Sequence, residues 1–233
     1  MTIRSVLLFA ALLLGCPAFA ALPAPGARLG VVDALPARLS AAFGTAVDKA
    51  PAPTIRDDWH LGRVAVEETT RQLAALGYQA SAVTLPPSLA ARAEGGGALR
   101  IGLADVRLDE RFGRELADWM KQEKLDGVVL VRSLARSLTD GGPVEAGLGI
   151  ARRGDITVTY ANLAPLLISG TTPRLDGAPQ CLVTAPVERS LVEKPKSLAE
   201  LAPLGPKLED VLRRAVDGAL VRAGVMQGDA ACE

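Results

Sequence analysis

The sequence predicts a mixed α/β fold: a mixed β-sheet with helices packed on it, α/β units in the first half, an antiparallel meander in the second, and a covering helix at the C-terminus. Three observations carry this. Between Leu108 and Arg132, apolar residues at Leu108, Phe112, Leu116, Trp119 and Met120 recur at helical spacing and lead into the continuous apolar run Gly127–Val131. A strand apolar on both faces must be covered on both, so it belongs inside a sheet flanked by helices. In the second half, Asp155 to Leu163 alternates, with Ile156, Val158 and Tyr160 on one side and Thr157 and Thr159 on the other. Finally, Leu208, Val211, Leu212, Ala215, Val216, Ala219, Leu220 and Ala223 share one helical face.

Taken in order, the chain opens as a secretory signal would, with Arg4, an unbroken apolar run from Val6 to Leu14, and the small-x-small pattern Ala18-Phe19-Ala20. The run is too short to span a bilayer. Residues 1–20 are read as a signal peptide, 21–27 as a tether rich in proline, and 28–233 as a single α/β domain. In a competing reading Leu13-Leu14-Gly15-Cys16 is a lipobox, Cys16 is lipidated, and the product is an outer-membrane lipoprotein. Both readings take the chain out of the cytoplasm, to the periplasm, the envelope or the exterior. Neither leaves a transmembrane span, and the membrane is reached only through a lipid on Cys16.

Arg28 to Leu35 reads as the first strand. Ala41 to Val47 fits a strand or a helical turn, and the prolines of Ala50 to Pro53 mark a loop. Asp57 and Asp58 can cap a helix running from Trp59 to Leu76, with Gly77 at its left-handed exit. Tyr78 to Leu85 follows as a strand that Pro86-Pro87 ends. A short helix fits Ser88 to Arg92, a glycine break Glu94 to Gly97, and a strand or irregular lead-in Leu99 to Val106. Asp109 then caps the helix that precedes Gly127. Val144 to Arg152 is a further strand, and Leu166–Ser169 with Gln180–Val187 suggest a hairpin around Pro173 to Gly177. Pro206 suits the first turn of the last helix and Gly224 its end.

Charge and composition exclude several jobs. The chain carries 26 Lys and Arg against 26 Asp and Glu, and loss of Arg4 with the signal leaves a formal charge of −1. That is not the basic footprint of a nucleic-acid binder. Only Phe43, Trp59, Tyr78, Phe112, Trp119 and Tyr160 remain as aromatics, too few for a stacking platform. With Cys16 removed or lipidated, Cys181 and Cys232 are left, and in an oxidising compartment the pair suggests a disulfide pinning the tail near Pro179 to Val183. Closing so long a loop is worth about 4 kcal/mol in the chain-entropy model.

Chemical motifs are sparse. His60 is the single histidine and sits beside Trp59 at a helix start, a poor place for acid–base or triad chemistry. One histidine and two separated cysteines do not make a zinc set, and Asp105, Asp109 and Glu110 lack the spacing of a calcium loop. No metal, cofactor or catalytic residue is assigned. The glycines at 95–97 lack the strand, helix and Lys-Ser/Thr context of a phosphate loop. The most suggestive segment follows Val131: Arg132, Ser133, Arg136 and Ser137 combine fixed positive charge with hydroxyls where a strand delivers them to the carboxyl end of a sheet, with Arg152 and Arg153 joining if the next strand returns antiparallel. Such a cluster fits a carboxylate or phosphate; its bland counterpart is a solvated loop balanced by Asp140 and Glu145. The expectation is an exported, non-catalytic interaction module working with envelope proteins. The alternatives are a small-ligand binder using the Arg132/Arg136 loop and, with the weakest signal, a hydrolase using strand-end carboxylates such as Asp33 and Asp126.

Overall fold

The computed structural model describes residues 23–41, 54–94, 97–101, 106–135, 138, 147–153, 156–170, 174–177, 179–188 and 198–233. Among these the strands are β1 (Arg28–Asp33), β2 (Arg38–Ala41), β3 (Thr54–Arg56), β4 (Gln79–Ala82), β5 (Leu99–Ile101), β6 (Val106–Leu108), β7 (Gly127–Val131), β8 (Leu148–Arg153), β9 (Ile156–Leu163), β10 (Leu166–Ser169), β11 (Arg174–Gly177) and β12 (Cys181–Val187). The helices are α1 (Leu61–Ala75), α2 (Pro87–Glu94), α3 (Glu110–Glu123) and α4 (Gly205–Arg222), the last entered through a 3-10 turn at Leu198–Leu204.

The mixed α/β class is as the sequence predicts, but the strands form two five-stranded mixed sheets and a small hairpin rather than one sheet. The first sheet has the order β11-β10-β7-β1-β4 and the second β12-β9-β8-β2-β3, while β5 pairs with β6. In the first, β4, β1 and β7 run parallel and β10 and β11 return antiparallel. The chain leaves β1 for β4 on one side through α1, then crosses to β7 on the other side through α2 and α3. Right-handed crossovers in opposite directions put their helices on opposite faces. Accordingly Leu29, Val31, Val129 and Val131 pack toward α1, while Val32, Val128 and Leu130 meet Phe112, Leu116 and Met120 of α3.

The second sheet has a physical reason. α1 already lies on the first sheet, and α4 packs against α1 with Leu208, Val211, Leu212, Ala215 and Val216 in the same core. The apolar side of α4 that α1 leaves bare needs another cover, and β9 and β12 supply it through Ala161, Leu163, Cys181 and Val183. The layers therefore run α2 and α3, first sheet, α1 and α4, second sheet. This also redraws the expected hairpin: β10 pairs with β7 and β11, whereas β12 pairs with β9 over seven residues, Cys181 with Leu163 through Val187 with Thr157.

Boundaries follow local chemistry. α1 begins at Leu61, two residues later than expected, because His60 adopts a left-handed conformation (φ 54°) and Asp57 reaches past it to accept from the Trp59 and Leu61 N–H groups at 3.1 and 2.8 Å. Asp109 caps α3 as expected, accepting from Arg111 and Phe112 at 3.1 and 3.0 Å. Gly77 (φ 87°) ends α1, and the end of the tether is tied beside it, Gly26 N–H donating to Gly77 O at 2.8 Å. Cys181 and Cys232 are disulfide-bonded, their Cα atoms 5.0 Å apart, as the cysteine count suggested. No helix among the described residues is long and apolar enough to cross a membrane. The alternatives for 42–47, the loop at 50–53 and most of the glycine break at 95–97 lie outside the described residues.

Candidate functional site

The parallel strands of the first sheet part at β1, with β4 and β7 on its two sides, and the carboxyl end of β1 is thus a topological switch point, the place where open α/β sheets receive ligands. Asp33 closes β1 there, paired in register with Val131, so Arg132 and Ser133 leave β7 along the same edge. The segment after β7 does not drift into solvent. Ala164 N–H donates to Arg132 O at 2.8 Å, Ser133 bridges to Leu163, and Leu134 N–H donates to Asn162 O at 3.0 Å. The antiparallel ribbon that β7 makes with β10 is thereby continued into β9, from one sheet into the other.

Asn162 fixes this passage. It is fully buried, its amide donates to Leu134 O at 2.8 Å, its side-chain oxygen accepts from Gln180 at 3.0 Å, and its backbone N–H donates to Gly147 O at 2.7 Å. Gly147 lies so close to Ser133 that a Cβ there would stand 2.5 Å from the Ser133 Cβ. Both ends of the β7–β8 connection are therefore pinned to β9. Sequence reading missed this clamp; the available signal was a polar Asn162 on the apolar row of an otherwise well-alternating strand.

Arg132 is half-buried, and burial lowers the affinity of its guanidinium for a proton below the usual arginine range. Its Nη1 is fully enclosed and has no hydrogen-bond partner among the described residues. The group nevertheless keeps its charge, since arginine does not deprotonate in proteins. Leaving a buried donor unpaired costs about 1–3 kcal/mol, more when it is charged.

Asp33 stands near Arg132 on the edge but belongs to the other face, since alternation sends it toward α1 with Val31 while Arg132 follows Leu130 toward α3. The Asp33 carboxyl lies over Gly62, where a Cβ would come within 1.9 Å of Oδ2, and Oδ1 accepts from Leu35 N–H at 3.0 Å. Burial of this carboxyl, although much of the residue still meets solvent, is the chief reason its pKa is raised. The Leu35 N–H opposes the shift and the charge of Asp57 adds to it.

Of the other residues singled out in the sequence, those that are described do not gather here. Arg136 and Ser137 lie outside the described residues. Arg152 and Arg153 stand opposite Thr157 and Ile156, at the far end of β9 from the Ser133–Leu163 bridge, roughly 20 Å away at about 3.4 Å per residue. Asp126 accepts from Arg28 N–H at 2.8 Å at the start of β1, so β1 separates it from Asp33 by roughly 17 Å. Those two carboxylates share no cleft. Exposed His60 serves at the start of α1. Among the described residues no group of three or more His, Cys, Asp or Glu is placed to hold a metal ion. A groove of about 1130 Å³ lies at the opposite, amino end of the first sheet, between Pro23–Pro25, Met120, Lys124, Asp126 and Ser169.

No family model and no curated protein matches this chain. Among solved structures it is similar to two crystal forms of the PelC dodecamer from Paraburkholderia phytofirmans, one of them a leucine-to-methionine variant. Identity is 12% to both; the variant's match covers 87% of this chain and 93% of that one with a TM-score of 0.37, and the other 89% and 94% with a TM-score of 0.36. Superposition at that level is too loose to define a shared fold.

Proposed function

We propose that this chain is an exported, non-catalytic interaction module that recognises its partner through an anionic group, a carboxylate or a phosphate, received at the carboxyl edge of the first sheet. The observation that carries the reading is the Arg132 guanidinium, desolvated, with one nitrogen lacking a partner, on a backbone pinned by Asn162. An incoming anion would satisfy that nitrogen in a charge-assisted hydrogen bond, the kind arginine makes best. The Cys181–Cys232 bond agrees with an oxidising compartment and so with removal of residues 1–20 or lipidation of Cys16.

Calorimetric titration of the chain at low ionic strength with phosphate, and separately with succinate, tests the site. Binding that falls at least tenfold in Arg132→Ala, with Arg152→Ala as an unaffected control, is the expected result. Equal heats in wild type and Arg132→Ala would end the proposal. The same guanidinium serves the second reading, a free small ligand. Capture of an envelope protein by the wild type, lost in Arg132→Ala and competed by phosphate, marks a protein partner; titration without capture marks the small ligand.

A further inference from the structure

α1 and α4 lie side by side between the two sheets, and their contact carries an ionic cluster that no part of the proposed recognition site uses. Glu68 of α1 is only 4% exposed. Arg71 grips it in a fork, Nε to Oε2 at 3.1 Å and Nη2 to Oε1. From α4, Arg213 stands 3.5 Å from Glu68 Oε2 and equally far from Glu209. The Gln72 amide joins the helices, donating to Glu68 Oε1 at 2.9 Å and to Asp217 Oδ1 at 2.6 Å. Asp217 itself has no ion pair within 4 Å among the described residues. Arg214, next on α4, turns to Asp210 and to Thr184 O instead. The strands enclosing this core present Leu29, Val31, Val129, Ala161 and Leu163, with Tyr78 partly buried beside them.

We propose that Glu68 and Asp217 act as one acid–carboxylate pair, Asp217 holding the proton and Glu68 the charge, which makes the α1–α4 seam a pH-sensitive joint between the two sheets. The assignment follows from the neighbours. Two carboxylates sharing one amide at short range resist ionising together. The cations stand on the Glu68 side, so the proton goes to Asp217. Burial, the largest cause, and the nearby Glu68 charge raise the Asp217 pKa, while the Arg71 fork leads in lowering that of Glu68.

The consequences have opposite signs. Asp217, raised in the folded chain, contributes stability that is complete below its unfolded value near 3.8 and is lost as pH rises through its folded value. Glu68, lowered, contributes stability that is complete above 4.5 and is lost as pH falls through its folded value.

Carboxyl-carbon NMR titration of the whole chain, with thermal midpoints over the same pH range, tests the pair. Asp217 should titrate above the ordinary aspartate range, and Glu68→Gln should move it downward. Asp217→Asn should gain heat stability over wild type, by a margin that opens above pH 3.8 and levels off past the wild-type Asp217 midpoint. An ordinary Asp217 midpoint, one indifferent to Glu68→Gln, or a margin that ignores pH would overturn the pair. If Asp217→Asn fails to fold, the titration of wild type and Glu68→Gln decides alone.

Discussion

Asn162 and Gly218 show how much of this molecule is decided by single side chains whose sequence context is bland. Replacing Asn162 with alanine removes the amide that holds Leu134 and strands Gln180 without its acceptor. The expected cost is about 2–3 kcal/mol in chemical denaturation, in line with buried polar groups left unsatisfied, together with loss of the anion binding proposed at Arg132. Gly218 lies under the disulfide: a Cβ there would come within 2.6 Å of both Sγ atoms. Gly218→Ala should therefore leave a larger fraction of free thiol after oxidative refolding, read by alkylation and intact mass. Nothing in the helical pattern of α4 flags Gly218 as special, because its reason lies on Cys181 and Cys232, distant in sequence. A sequence shows a residue's own neighbours on its element, and both of these roles depend on neighbours from elsewhere.

Among the elements, those specified by local rules were legible. The run Gly127–Val131 is β7 as read, the stripe from Phe112 to Met120 is the buried face of α3, and Asp109 is its cap. Leu116, fully buried between α3 and the first sheet, should lose about 2–5 kcal/mol on truncation to alanine. The cap also makes a pH prediction. The Phe112 N–H is the main cause that lowers the Asp109 pKa, with Arg100 next, so the stability it contributes is complete above 3.8 and is lost as pH falls through the folded value. The Phe112 amide resonance should follow that titration, with a midpoint below the ordinary aspartate value. Strand partners were less legible. Period-two alternation says which side of β12 faces inward but is silent on whether β9 or β10 lies beside it, and that choice was made by α4. Of the candidate site, the sequence indicated Arg132 and its position after a buried strand; it could not show that the length of β9 keeps Arg152 and Arg153 away.

For the whole molecule, the two sheets are joined by shared strands and not merely by contact. The ribbon of Gly127–Leu134 against Asn162–Ser169 belongs to both. Chemical denaturation should therefore give one transition by both tryptophan fluorescence and far-ultraviolet dichroism, since neither sheet can open without parting strands of the other. The disulfide adds a constraint across 51 residues, and Cys232→Ser should lower the unfolding free energy by up to about 4 kcal/mol.

The two ends of the first sheet bear on how the molecule is presented to its surroundings. Pro23 to Ala27 enter at the amino end, where Gly26 is fastened to Gly77 and the groove beside Asp126 opens. Arg132 emerges at the other end, beyond the full length of β1 and β7. A mount fixed at Pro23 would hold the chain by the amino end of this sheet, with Arg132 at the end turned away from it. Immobilisation at Pro23 should accordingly leave the anion binding proposed for Arg132 intact.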